Sequence, residues 1–466
     1  MQKTQIEINI PPTKPLHIFV FGEGSQGELG LGAKNDGKKT VIDVTRPRLN
    51  PFLEKLDVVQ VAVGGMHCAA LTADNKIYTW GVNDQGALGR PTTNEGKMRD
   101  ADQDTLSDSD SDSEDEDSGL NPSEAEPRQV NLSHFPEGTR FAEVLAGDST
   151  TFALTTTGLV YGWGTFRVST HICWYTRNSI SDFIQGNDGV LGFNKNSNSK
   201  EGNKTQGIPT LIPELKQVCK MAIGTNHALA LTHKNKAFVW GAGEQSQLGR
   251  RVVARTAAGA LIPREFGFQR KKIVDIATGD YFSYAVEDNG TIYAWGHNGY
   301  GQTGIPVEQN QDSIIAVPTK VEGLDGKKIV QLAGGNHHTI ARTEDGEVLV
   351  WGRLDNAEGG VNLGTLSEDT IIRDVATGRI LASKKAITVP NLKAKQVATG
   401  TDTCFVITDD GKAYSWGFST NYQTGQGTDK DVTEATLVEN SAVKGKVLSF
   451  AGVGGQFGIL ACEKDE

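Results

Sequence analysis

Imidazole and carboxylate side chains recur at one position along this sequence. His67, His227 and the pair His337-His338 each follow a glycine-marked turn, and the Gly-Asp pairs Gly147-Asp148 and Gly279-Asp280 fall at the equivalent place. Such groups transfer protons or ligate metals, so the first question is whether they form a catalytic set. The sequence offers no nucleophile beside a base and no paired carboxylates. Its glycine-rich stretches (GEGSQGELG, GVNDQGALG, GHNGYGQTG) lack a Walker lysine and a following helix pattern. The five cysteines, Cys68, Cys173, Cys219, Cys404 and Cys462, contain no Cys-x-x-Cys pair. That spacing argues against a metal knuckle or disulfide framework and for buried thiols in a reducing compartment. No covalent chemistry, metal or cofactor is expected. What remains is docking: if the repeats close into a ring, Asp148, Asn226, Asp280, Asn336, His337 and Asp402 converge on one polar face. For any one histidine taken alone, the plainer reading is a rim side chain held by hydrogen bonds.

A ring is what the rest of the chain describes. Trp-Gly recurs at Trp80, Trp163, Trp240, Trp295, Trp351 and Trp416, each time ending a short apolar run, with Phe21-Gly22 as a first member. Successive marks lie 59, 83, 77, 55, 56 and 65 residues apart, a unit of roughly 50–60 with insertions in its second and third intervals. Within a unit, Val59, Val61 and Val63, then Ala70 and Leu71, then Ile77, Tyr78 and Trp80 show the two-residue period of half-buried strands separated by turns. Glycine supplies 55 of 466 residues, well above the usual share of about 7 %, and most of it sits at fixed places in the repeat. The expected fold is all-β: a seven-bladed β-propeller of four-stranded antiparallel blades. The first unit, from His17, supplies only later strands, while the final stretch VLSFAGVGGQFGILA supplies earlier ones. N- and C-terminal strands should therefore pair in one shared blade and remove the open edges. The propeller is assigned to residues 17–462, with tails at 1–16 and 463–466.

Net charge is −11, but residues 100–126 hold twelve acids and no Lys or Arg, so the body carries 46 basic against 45 acidic groups. Residues 97–127 are expected to be a disordered acidic loop, too poor in apolar groups to offset the cost of ordering. Its Ser107, Ser109, Ser111 and Ser113 stand before acids, the pattern of acidophilic kinase substrates. No apolar run approaches eighteen residues and no signal-peptide core precedes the repeat, so a soluble intracellular monomer with no membrane contact is expected. Val168–Gln185 interrupts a turn that otherwise reads GTFR-GNDGVLG. Val-Ser can be encoded by GTAAGT and Gln by CAG, the borders of an intron, so the segment reads either as a translated loop or as a retained intron.

The motifs GGMHCAALT…YTWGVNDQGALGR and AGDSTTFALT…GWGTFR…GNDGVLG resemble the regulator of chromosome condensation family over essentially the whole chain. TRPRLNPFL (Thr45–Leu53) and the acidic loop resemble fungal members. The resemblance implies guanine-nucleotide exchange on the nuclear GTPase Ran, with a role in nucleocytoplasmic transport and mitosis, and a nuclear, chromatin-associated location. It implies exchange residues at Asp148, Asn226 and His337. It also implies a GTPase-binding β-wedge comprising Thr165, Phe166, Arg167, Asn187, Asp188 and Gly189, interrupted here by the inserted segment. Arg250, Arg251 and Arg255 fall on a loop that in the family meets the acidic surface of the nucleosome. Asn226 and Ser25 stand where the family carries acids, and the N-terminus, with Lys3 and Lys14 alone, has no basic run. The alternative is a propeller adaptor without exchange activity. An ultraviolet photoreceptor needs a tryptophan cluster, whereas six of seven tryptophans here are repeat marks. A ubiquitin ligase needs a further catalytic domain for which the repeat leaves no room.

Overall fold

The computed structural model describes residues 6–33, 42–93, 120–166, 206–253, 257–307, 314–324 and 326–464. Within them the chain forms seven four-stranded antiparallel sheets and one two-stranded hairpin. Blade 1 is the shared one, with spatial order Asp43–Leu49, Leu16–Glu23, Phe457–Glu463, Leu448–Val453. Register along the closing pair runs from Leu16 opposite Glu463 to Gly22 opposite Phe457. Each other blade takes its first three strands a, b and c in order, as in blade 2: Val58–Val63, His67–Thr72 and Ile77–Gly81, then Arg128–Gln129 outside. Blades 3 to 7 begin at Phe141, Val218, Ile273, Ile329 and Ala394. Blade 6 also carries an extra hairpin, Ile371–Arg373 with Ile380–Ser383, which accounts for the 65-residue interval and which the repeat spacing did not single out.

The apolar alternation works because every blade has a neighbour on both sides, so the b strands are buried along nearly their whole length. The core therefore lies between blades, as in the cluster joining Val59, Leu71 and Val130 to Phe141, Tyr161 and Trp163. Four of the six tryptophan marks are anchored the same way. The indole N–H donates to a carbonyl in the c–d turn of the preceding blade: Trp80 to Glu28 at 2.9 Å, Trp295 to Gln247 at 2.8 Å, Trp351 to Gln302 at 2.9 Å and Trp416 to Glu358 at 2.8 Å. Two residues on, a glycine in the left-handed region lies flat against the same ring; a Cβ on Gly360 (φ +62) would stand 2.6 Å from Trp416. Gly425 against Phe21 completes the circuit into blade 1. Trp163 and Trp240 have no such donor bond among the described residues: the Ala87 carbonyl below Trp163 accepts from Thr151 Oγ1 instead, and by the repeat the partner turn of Trp240 is the one that falls after Gly186.

Inner strands are stitched by side chains. The Gln60 amide exchanges both hydrogen bonds with the Val144 backbone, at 2.9 and 2.8 Å, and Gln331 and Gln396 do likewise with Val397 and Ala451. In the middle blades Lys220 takes this place and its ammonium bonds Asp275. The segment read as an N-terminal tail is docked: the backbone N–H groups of Ile8 and Asn9 donate to Thr156 O, and the Asn9 amide reaches Thr155 O and Val218 O.

Candidate functional site

Each a strand ends in glycine, and a short loop turns the chain into strand b. Aligned by pairing register, the loops give two stacked tiers. The outer tier holds Gly65, Asp148, Thr225, Asp280, Asn336, Thr401 and Gly455; the next holds Met66, Ser149, Asn226, Tyr281, His337, Asp402 and Gln456. The residue after these begins strand b: His67, His227 and His338. This shifts one expectation by a residue, since His338 rather than His337 is the equivalent of His67 and His227. Those three are fully buried and bridge blades, through Nε2 to Thr151 Oγ1 (2.8 Å), Ser283 Oγ (2.8 Å) and Thr399 Oγ1 (2.7 Å). They are structural, and burial holds His67 down at about 4 and the other two at about 3, so all are neutral at neutral pH.

Backbone bonds tie the loops together across five of the seven blade seams, forming a collar. Gly65 N donates to Gly147 O, Thr225 N to Asp280 O, Asp280 N to Gly335 O, Asn336 N to Thr401 O and Gly455 N to Gly65 O, all within 3.2 Å. On this collar Asp148, Asp280 and Asp402 sit half-buried, with Asp148 and Asp402 close enough to Asp280 to repel its charge. Burial raises all three, Asp280 furthest, to about 7, where a Thr225 hydrogen bond opposes the rise and the Asp148 and Asp402 charges add to it. His337 is half-buried and packs edge-on against Tyr300 (ring centroids 4.9 Å) and His297 (5.5 Å). Burial, then the charges of His297 and Arg353, lower it to about 4, so it presents a neutral imidazole. Its Nδ1 makes no hydrogen bond within the described residues. The expected convergence of Asp148, Asn226, Asp280, Asn336, His337 and Asp402 on one end of the torus is thus what the loops produce. Ser25 belongs to the same end and its hydroxyl donates to Glu23 Oε1 at 2.7 Å, so a carboxylate stands beside the position that lost one.

Thr165 and Phe166 lie in the core at 0 % exposure, Phe166 against Phe152 and Trp240, so they can root a projecting turn but not meet a partner. Arg167, Asn187, Asp188 and Gly189 lie outside the described residues, as do the whole Val168–Gln185 segment, Arg255 and Ser107, Ser109, Ser111 and Ser113. Arg250 is half-buried and turns back to Val239 O; Arg90, at the same repeat position, is buried and hooks Thr79 O at 2.8 Å and Ser123 O at 2.7 Å. That shared position signals a blade-internal role for Arg250 and was legible in the pair LGR at 88–90 and 248–250. Arg251 is exposed.

Comparison with known proteins accords with this geometry. The model of the RCC1-like domain matches residues 17–460. Protein pim1 of Schizosaccharomyces pombe is 39% identical over 458 residues, covering 97% of this chain and 75% of that protein. Guanine nucleotide exchange factor SRM1 of Saccharomyces cerevisiae is 35% identical over 456 residues, 96% of this chain and 87% of that one. Among solved structures, that of Prp20p from Saccharomyces cerevisiae superposes with a TM-score of 0.81 at 31% identity, covering 98% of this chain and 94% of its own.

Proposed function

This chain belongs to the RCC1-like domain family, and we propose that it is a guanine-nucleotide exchange factor for a Ran-type small GTPase. The observation that carries the reading is the collar: a polar surface on which Asp148 and Asp402 both repel Asp280, with the neutral imidazole of His337 beside them, on loops bonded across five of the seven seams. Two relatives support it, one named as an exchange factor and one whose structure was reported with its binding to Gsp1p and histones. A GTPase holds its nucleotide through phosphate contacts to backbone amides, a lysine and Mg²⁺. A partner that binds the nucleotide-free state more tightly weakens nucleotide by the same coupling free energy, so exchange needs complementarity and no covalent step. Asp148, Asp280 and Asp402 supply negative charge toward a basic surface, and His337 supplies a ring nitrogen able to accept or donate one hydrogen bond. Asn226, a neutral group between charged neighbours, orients rather than attracts. The wedge would spring from the buried root at Thr165-Phe166 and insert beside the nucleotide.

The protein would act in the nucleus on chromatin, with Arg251 and Arg255 meeting the acidic surface of the nucleosome, and so support nucleocytoplasmic transport and mitosis. The test is release of a fluorescent GDP analogue from a purified Ran-type GTPase. Asp148→Ala and His337→Ala should each slow release at least tenfold, a loss of about 1.4 kcal/mol, with an unchanged circular dichroism spectrum. A wild-type chain that binds the GTPase without accelerating release would instead support an adaptor.

A further inference from the structure

The seam between blades 6 and 7 holds an imbalance that touches the docking collar at Asp402 but centres on Glu358, which docking does not use. In blades 4, 5 and 7 the c–d turn places Gln247, Gln302 and Gln423 beneath the next blade's aromatic mark, Trp295, Trp351 and Phe21, and each side-chain oxygen accepts the N–H two residues back at 2.9 Å. The other end of the amide is a donor, as where Gln302 Nε2 meets His297 Nδ1 at 2.9 Å. Blades 1 and 6 have glutamate at this position: Glu28, whose Oε2 likewise accepts Gln26 N at 2.9 Å and whose buried Oε1 also has no hydrogen-bond partner among the described residues, and Glu358, which alone of the two has His338 and Asp402 beside it. Glu358 Oε2 keeps the bond from Asn356 N at 2.9 Å, but Oε1 is buried at a residue of 0 % exposure with no hydrogen-bond donor. The nearest cation, Arg353, stands 3.7 Å away and is drawn off by Asp355 and by the face of Tyr300.

Three ligand atoms, one each from His338, Glu358 and Asp402, lie within 4.8 Å of one another. His338 is also wholly buried, and its Nδ1 and Asp402 Oδ1 lack hydrogen-bond partners within the described residues. The thiol of Cys404 lies 3.1 Å from His338 Nε2. Ionised, the carboxylates of Asp355, Glu358 and Asp402 outnumber the one guanidinium by two charges, the charge of a divalent cation. The geometry points to a buried divalent-cation site of the Zn²⁺ class between blades 6 and 7, with a ring nitrogen of His338 and one oxygen each from Glu358 and Asp402 as ligands. An imidazole in the set favours Zn²⁺ over Mg²⁺ or Ca²⁺, which take oxygen cages. Ligands at about 2.0–2.2 Å from Zn²⁺ stand roughly 3.4 Å apart, so the three groups close by about 1 Å on binding. His338 Nε2 is already held by Thr399 Oγ1 beside the Cys404 thiol, so the unpartnered Nδ1 is the ligand and a water fills the fourth position. The ion would clamp the blade 6 turn to the blade 7 loop. Ligands at 338, 358 and 402 share no local spacing, so only the ring brings them together.

The test uses the full chain stripped with EDTA and titrated with ZnCl₂ by calorimetry, then with CoCl₂ by visible absorption. One equivalent of Zn²⁺ should bind, Co²⁺ should give ligand-field bands, and the melting temperature should rise with metal. Glu358→Gln, which copies the residue of blades 4, 5 and 7 and so should fold, is expected to weaken Zn²⁺ at least tenfold and abolish the metal-dependent rise. His338→Phe, copying Phe282 and Phe457 of sister blades, should do the same. Absence of Zn²⁺ binding by the wild-type chain overturns the site, as does unchanged affinity in Glu358→Gln, which would put the ion elsewhere. If Glu358→Gln exceeds the wild-type melting temperature by the same margin in Zn²⁺ as in EDTA, the site is also overturned, since the glutamate then merely stands in for glutamine.

Discussion

Replacing Asp280 by Asn should stabilise the protein, and should do so only as pH rises. Asp280 ionises near 3.8 when exposed and at about 7 in the fold, because burial and the nearby Asp148 and Asp402 charges disfavour its carboxylate. The folded state therefore holds a proton that the unfolded state has lost between those values. Stability contributed by this group is greatest below pH 4, falls as pH rises from 4 to 7 and is flat above. At about 1.36 kcal/mol per pH unit, the full penalty above pH 7 is roughly 4 kcal/mol, an upper bound for a half-buried side chain. Asparagine carries no titrating proton and is tolerated at this tier, as Asn336 shows in the adjacent loop of the same collar. The gain for Asp280→Asn should thus be larger by roughly 2–3 kcal/mol at pH 8 than at pH 5. Urea unfolding at pH 5, 6, 7 and 8 measures it; in melting temperature the change is roughly 2–3 °C, since unfolding entropy for a chain of this size is about 1 kcal/mol per kelvin. A gain that does not vary with pH, or that is larger at pH 5, would refute the claim that the collar stores unfavourable negative charge.

Three further outcomes are expected. Gly360→Ala puts a methyl group into the Trp416 ring at a positive φ, and should destabilise by about 2–4 kcal/mol in denaturant titration, the sum of overpacking and left-handed strain. Deleting Val168–Gln185 should raise GDP release and also stability, the latter by about 1–3 kcal/mol if the shortened turn then supplies the carbonyl that the Trp240 indole lacks within the described residues; equal rates and equal melting temperatures would count against it. In a nucleosome gel shift at fixed salt, Arg251→Ala should weaken binding, whereas Arg250→Ala should chiefly lower the melting temperature, because the Arg250 guanidinium faces its own blade.

Fold and closure were readable because the propeller writes its contacts locally. Tryptophan, glycine and the apolar a and b strands recur at fixed offsets, and the incomplete first and last units betray the shared blade. The convergence of Asp148, Asp280 and Asp402 was readable for the same reason, since equivalent loops must share one end of a torus. What escaped depends on register at single-residue resolution or on contacts between units. His337 and His338 are adjacent letters, yet one faces the rim and the other spans a seam. Arg250 looked like part of a basic loop until its match to Arg90 gave it a backbone carbonyl to hold. The extra hairpin in blade 6 hid inside an interval only slightly longer than its neighbours, and the glutamate at 358 differs from Gln247, Gln302 and Gln423 by one side-chain atom and from Glu28 not at all.

The shared blade also sets the order in which the protein can be finished. Its second strand ends at Glu23 and its third begins at Phe457, so roughly 430 residues are translated between two strands that hydrogen-bond along their whole length. At about 5–20 residues per second on the ribosome, that wait is roughly half a minute to a minute and a half. Throughout it Leu16–Glu23 presents an unpaired apolar edge of the kind that recruits foreign strands. Emerging chains are therefore most vulnerable at their oldest end, and a truncation that removes only Phe457–Glu463 would leave every other blade made but the circle unlocked. Holding chaperones should bind this N-terminal strand first and release it last.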